Sequence, residues 1–292
     1  MSAQQVLFDA PGPKAKRNIL IGNIAGAIFV IGLLTWLVIT LAERGQLEPA
    51  KWTPFLEVRT WQFFFLPGLW DTLRAAGVAI VTSVVLGLIL GIGRLSHFLP
   101  IRWLAGVIVE FLRAVPVLLM MIFLWLAIGA ASIMRPQDIP FIAVVTALTL
   151  YNGSVIAELV RSGVEGLPKG QREAAMAIGM TRGQSLRSVE VPQALTAMLP
   201  ALVSQFVVIL KDSALGYIIT YTELLQNARR LGVGEGNLLQ ALLIAAVIFI
   251  IINFALSSLA NRLSKLLSFR TAGRAKRDKD QKVLLPDATN AG

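Results

Sequence analysis

Apolar residues run along this chain in long unbroken blocks, not in the alternation of a half-buried strand or the single stripe of a soluble helix. A bilayer core of about 30 Å is crossed by roughly 20 apolar residues in a helix. Six blocks meet or approach that length: Ile19–Ala42, Trp70–Leu95, Ala114–Ala131, Ile139–Leu159, Leu199–Tyr221 and Asn237–Leu259. The pattern predicts an all-α polytopic membrane protein with six spans. The first block has too long an apolar core for a cleavable signal peptide, and no clear small-residue cleavage site follows it.

The polar intervals set the orientation. Six spans place both termini on one side. Nineteen Lys and Arg residues lie on that side: in the N-tail, in the loops after spans 2 and 4, and in the tail from Arg262 to Lys282. Six lie on the other: Arg44, Lys51, Arg59, Arg135, Arg229 and Arg230. Cationic loops stay inside, so both termini are expected in the cytoplasm. Composition agrees with a membrane protein: 55% hydrophobic, 15% charged, mean hydropathy +0.69. The formal charge of +10 then reads as orientation and attraction to anionic lipid, with RNA binding by "RTAGRAKRDKDQK" the lesser reading. The outer loop Glu43–Leu69 is crowded with Trp52, Phe55, Trp61, Phe63, Phe64 and Phe65. It suggests an interfacial aromatic belt more than a ligand cage.

The chemistry that is missing narrows the function. There is no cysteine, and the single histidine, His97, stands alone in a polar loop. No HExxH, GxGxxG or GxxxxGK[ST] occurs. The chain is therefore expected to be non-catalytic, with no metal site and no cofactor of its own. Any uphill transport would draw on a gradient or on another subunit.

The longest polar interruption is "KGQREAAMAIGMTRGQSLRSVEVPQAL", Lys169–Leu195. Gln171–Ile178 is rich in good helix formers, Pro168 and Gly170 punctuate the chain before it, and Gly179 ends it. A helix of about two turns is unstable alone and persists when something packs on it. Ala174, Ala175 and Ala177 allow close approach by another backbone, and Glu173 suits the helix dipole. The bland reading is a helical loop; the sharper one is a docking helix for a cytoplasmic partner.

"EAAMAIG", followed ten residues after Gly179 by "VEVPQAL", resembles the EAA motif of ABC importer permeases. "VEFLRAVPVLL" (Val109–Leu119), "IAELVRSGVEGLPKGQREAA" and "LPALVSQFVVILKDSALGYIITYTELL" resemble the polar amino-acid subfamily, and the likeness covers roughly Leu69–Leu263. The resemblance implies a type I ABC importer permease fold: a five-helix core over 70–263 with one extra N-terminal helix. The remaining segments are a cytoplasmic N-tail (1–18), the extra helix and aromatic loop (19–69), and a basic, disordered C-tail (264–292). It implies that Arg172, Glu173, Ala174, Ala175, Ala177, Gly179 and Arg182 belong to a coupling helix seated on an ATPase subunit. The implied partners are two ATPase subunits holding ATP and Mg, a second permease, identical or homologous, and an extracellular substrate-binding protein. The setting would be a bacterial cell membrane. The subfamily carries glutamate, glutamine, arginine, histidine, lysine and cystine. The extra span and basic tail point toward the actinobacterial glutamate importers. Glu190 departs from the family pattern, which has an apolar residue there. A gradient-driven transporter or channel is the competing class.

Charged side chains within spans cost about 2.5–3.5 kcal/mol on insertion scales, so they face a cavity or a partner. Lys211, Asp212 and Ser213 lie near mid-depth of span 5, matching the family's "KD[ST]". Lys211 is either a counter-charge for a substrate carboxylate or half of a structural pair. Arg113, Asn152 and Ser154 are further pathway candidates. Pro116 marks a hinge or gate, and Glu158 with Arg161 suggests a structural or gating salt bridge. Arg74 is expected to snorkel, and Gly87, Gly91 and Gly93 to mark close helix packing.

Overall fold

The computed structural model describes residues 12–283, and side chains up to Leu259 together with Arg262. Every regular element among the described residues is helical. The chain forms two compact units, divided between Glu57 and Val58.

The first unit is built on α1, Pro13–Glu43, in which no residue is buried within the chain. Its 31 residues rise about 46 Å, more than a bilayer core needs. A helix apolar all round with no buried residue is made for lipid or for another subunit. Two short helical turns follow, Pro49–Trp52 and Thr53–Leu56, with Trp52 edge-on to Phe55.

In the second unit a short helical turn, Val58–Thr60, leads into a wide π-turn at Trp61–Phe65 that feeds α2, Leu66–Arg94. The aromatic segment does not act as one belt. Phe63 is exposed, but Phe65 is buried and packs with Trp61 at a centroid distance of 5.0 Å.

α2 lies directly on α5, Ile139–Glu165. Glycines make that approach possible. A Cβ at Gly87 would stand 2.5 Å from Ile156 Cγ2, and one at Gly91 2.9 Å from Val160 Cβ. Gly153 receives Leu86 in the same way, and Gly93 admits Ala105. The expected close packing at Gly87, Gly91 and Gly93 is what the structure has. Ala75, Ala79, Met121, Val144, Leu148 and Ile209 form the central core.

Between these two helices the chain departs from the expected loop. Leu99–Ala114 is a helix, α3, and Val117–Ala131 is another, α4. They bend by 97° at Pro116. Fifteen residues of α4 rise only about 22 Å, so it crosses a bilayer only in company with α3. Among the described residues five helices are long and apolar enough to span, six if the bent pair counts as one.

After α5 comes α6, Lys169–Ala177. A short helix at Arg182–Ser185 and a π-turn at Leu186–Glu190 then lead into α7, Val191–Asp212. α7 tightens to a 3-10 stretch, Ser213–Ile219, directly after Lys211–Asp212. The amphipathic α8, Leu224–Gly234, precedes α9, Leu238–Val283. α9 runs as helix to Val283; residues 284–292 of the C-tail, and residues 1–11 of the N-tail, lie outside the described residues.

Candidate coupling surface and ion-pair clusters

α6 ends as its sequence demands. Gly179 sits at φ +83°, its N–H reaches the Met176 carbonyl at 3.0 Å, and the Met180 N–H reaches Ala175 at 3.2 Å. This paired closure needs a left-handed residue, which glycine adopts without strain. Ala175 is 4% exposed and turns into the protein. Arg172, Glu173, Ala174, Ala177 and Gly179 are exposed. Sequence reasoning missed two neighbours: Met176 is 53% and Ile178 79% exposed, at the C-terminal end of the helix. Large apolar side chains beside small ones on a polar helix form a surface for a protein partner.

α6 is tied down beneath by Glu190, which is only 1% exposed. Its Oε1 accepts from Arg182 Nη1 and, at 2.8 Å, from the Ser185 hydroxyl; Arg172 Nε approaches Oε2 at 3.4 Å. The family departure at this position is thus an organising ionic group. The π-turn explains how Ser185 reaches it. On an α-helix residues five apart are separated by about 140°, whereas a π-turn stacks them. Pro192 favours that widening, because it offers no N–H to the carbonyl four residues back. Thr181 and Gln184 form a reciprocal capping box at the start of the Arg182–Ser185 helix. Gln193 on α7 donates to Gln171 on α6 at 3.1 Å. Where α5 meets α6, a cleft of about 200 Å³ is lined by Glu165, Lys169, Arg172, Glu173 and Glu190, among others.

A second ionic cluster joins α2, α3 and α5. Glu158 accepts from Arg94 at 2.7 Å and from Arg161 at 2.5 Å, and Arg113 stands 3.7 Å away. Arg94 also reaches Glu110 at 3.2 Å, and Arg161 reaches Glu165 at 2.5 Å. The expected Glu158–Arg161 pair is present, inside a six-member network that sits beside the Pro116 bend.

The pathway candidates scatter. Asn152 is buried, donates to Leu148 O at 2.9 Å and accepts from Gln205 of α7 at 2.5 Å. Ser154 donates to Tyr151 O, and Ser213 to Leu210 O. Lys211 is exposed beside Phe249, Ile250 and Asn253 of α9. Asp212 is half-buried at the end of α7. The structure does not bring Arg113 and Lys211 together: Arg113 belongs to the Glu158 cluster.

The family model described as "Binding-protein-dependent transport system inner membrane component" matches residues 83–269. The chain belongs to this family. The permease is 46% identical over 243 residues to the glutamate transport system permease protein GluD of Corynebacterium glutamicum, covering 83% of this chain and 88% of that one. It is 35% identical over 202 residues to the probable glutamine ABC transporter permease protein GlnP of Bacillus subtilis, covering 67% and 91%. A crystal structure titled as an amino acid ABC transporter with histidines superposes with a TM-score of 0.65 at 28% identity, over 72% of this chain and 97% of that one. The permease therefore has the type I ABC importer fold and is a non-catalytic transmembrane subunit, with ATP hydrolysis in a separate subunit.

At the end of the permease core farthest along α2 from Arg94 lies a polar recess that sequence reading did not find. A cavity of about 230 Å³ is lined by Asp71, Arg74, Asp138, Phe141, Tyr221 and Thr222, with three further residues. Arg74 does not snorkel freely: its guanidinium lies 4.3 Å from the Phe141 ring centroid. Tyr221 donates to Asp71 O at 2.8 Å, and Thr222 to the Asp71 carboxylate at 3.1 Å. Buried Glu223 caps α8 through the N–H groups of Leu225 and Gln226, both at 2.7 Å. Burial outweighs those bonds and pushes its carboxyl up to about 7. The signal for the cap was a polar residue directly before an amphipathic run, though Glu is not the usual cap type.

Proposed function

We propose that this permease carries glutamate inward across a bacterial cell membrane, with both termini cytoplasmic and α6 as its coupling helix. The observation that carries the coupling role is α6 itself, a nine-residue helix anchored below by Glu190 and bare above at Met176, Ile178 and Glu173. The bare face seats on an ATPase subunit. Two ATPase subunits, holding ATP and Mg, work beneath two permease subunits. ATP binding closes the ATPase pair, draws the coupling helices together and tilts the spans. A binding protein on the outer side delivers the substrate. The cationic bias of nineteen against six supports the orientation. Glutamate follows from the 46% identical relative named for glutamate transport.

The test is reconstitution with the ATPase and binding protein in vesicles. ATP-dependent glutamate uptake is expected, and a cross-linker at Met176→Cys is expected to capture the ATPase. Glu173→Lys is expected to keep hydrolysis and lose uptake. Uptake that follows an ion gradient without ATP, or a Met176→Cys that captures no ATPase, would refute the reading.

A further inference from the structure

We propose that Glu190 is a positioning residue for coupling: it welds α6 to the start of α7, so that a push on α6 moves the span and does not merely bend a loop. The inference rests on α6 being the coupling helix and specifies how the push leaves it.

The geometry is that of a joint. α6 is nine residues long and meets the rest of the chain through few side chains. An isolated helix of this length cannot hold its own shape or position in water. Ala175 supplies its one buried side chain. What fixes it laterally is ionic: Arg172 on α6 and Arg182 on the following helix converge on one carboxylate, with Ser185 on the same oxygen as Arg182. Glu190 stands at the junction of the π-turn and α7, with Val191 and Ala194 buried just beyond it. Force on Arg172 or Arg182 therefore enters α7 through Glu190, the residue that precedes its first turn. Two cations on one buried anion form a stiff link, because separating them leaves that charge without a partner. An apolar side chain there would fill the space and let the two helices slide. Gln171–Gln193 is a second, weaker tie across the same seam, part exposed and neutral.

The experiment uses the full permease–ATPase–binding-protein assembly. Glu190→Ile and Glu190→Gln are compared with wild type for ATPase co-purification, binding-protein-stimulated hydrolysis and glutamate taken up per ATP. The expected result is assembly retained and uptake per ATP reduced about ten-fold or more in Glu190→Ile, with Glu190→Gln between. The chain has no cysteine, so Gln171→Cys with Gln193→Cys gives one unique thiol pair across the seam. Joining that pair with a short thiol cross-linker in the Glu190→Ile background is expected to restore uptake per ATP. A purely structural carboxylate would not be rescued by a tether. Wild-type uptake per ATP in Glu190→Ile, or a lost coupling that the tether leaves unrestored, would overturn the joint. The reading of α6 fails separately, by absence of ATPase capture at Met176→Cys in the wild-type background.

Discussion

Arg94 and Glu158 stand 64 residues apart in sequence and meet at 2.7 Å, pinning the end of α2 to the middle of α5. Glu158 is the carboxylate on which Arg113 and Arg161 also converge. With Glu110 and Glu165 the cluster sets three arginines against three carboxylates, which leaves no surplus cation for a substrate carboxylate. Glu158→Gln is expected to destabilise the purified permease by about 1–3 kcal/mol, below the figure for a fully buried pair because both partners keep some solvent. Thermal unfolding in detergent measures it. Arg94→Ala with Glu158→Gln is expected to cost less than the sum of the two single changes.

That cluster shows where the sequence was legible and where it was not. Apolar run length alone marked the spans, and the small residues Gly87 and Gly91 marked the α2–α5 seam, because both are local signals. The Pro116 break and the Gly179 stop were equally local, since proline and glycine act on their own backbone. The six charges at 94, 110, 113, 158, 161 and 165 come from three helices; spacing on one helix could join Glu158 with Arg161, Arg161 with Glu165 and Glu110 with Arg113, of which only the first was read, and no spacing joins Arg94 to Glu158. α3 was taken for a loop because its charges interrupt the apolar run. Glu190 was an anomaly because neither arginine that explains it is within a helical turn. Arg74 was read as snorkelling because Phe141, its ring partner, lies on another helix.

Gly87→Ala tests the seam. Its new methyl would meet Ile156 at 2.5 Å, so α2 must move off α5. Overpacking of this kind costs about 1–3 kcal/mol. Gly77→Ala, where nothing lies within 4 Å, is the control on the same helix and is expected to be neutral or slightly stabilising. Melting temperatures of the two variants should diverge in that order.

Gly179→Ala separates backbone strain from crowding at the end of α6. A Cβ there meets nothing within 4 Å, but φ is +83°. The left-handed conformation costs a side-chain-bearing residue about 1 kcal/mol, borne by α6 alone. The spans should melt as in wild type, while protease cleavage between Lys169 and Arg182 accelerates. Equal cleavage rates would show that the cap is dispensable.

Glu223 predicts a pH dependence of unusual sign. Burial pushes its folded carboxyl up to about 7 from the ordinary 4.5, because burial disfavours the anion more than the Leu225 and Gln226 amides favour it. Between those two values the folded state holds a proton that the unfolded state has lost. Stability must therefore fall as pH rises. The contribution is complete below about 4.5 and gone above about 7. Most carboxylates act in the opposite sense, so the measurement is a difference: melting temperature against pH for wild type minus that for Glu223→Gln. Glutamine is permanently neutral and keeps one amide acceptor for the start of α8. The variant is expected to lose the decline between pH 4.5 and 7 that wild type shows. If the difference is flat over that window and rises with pH only below about 4.5, Glu223 is held as an anion and the amides of Leu225 and Gln226 outweigh its burial.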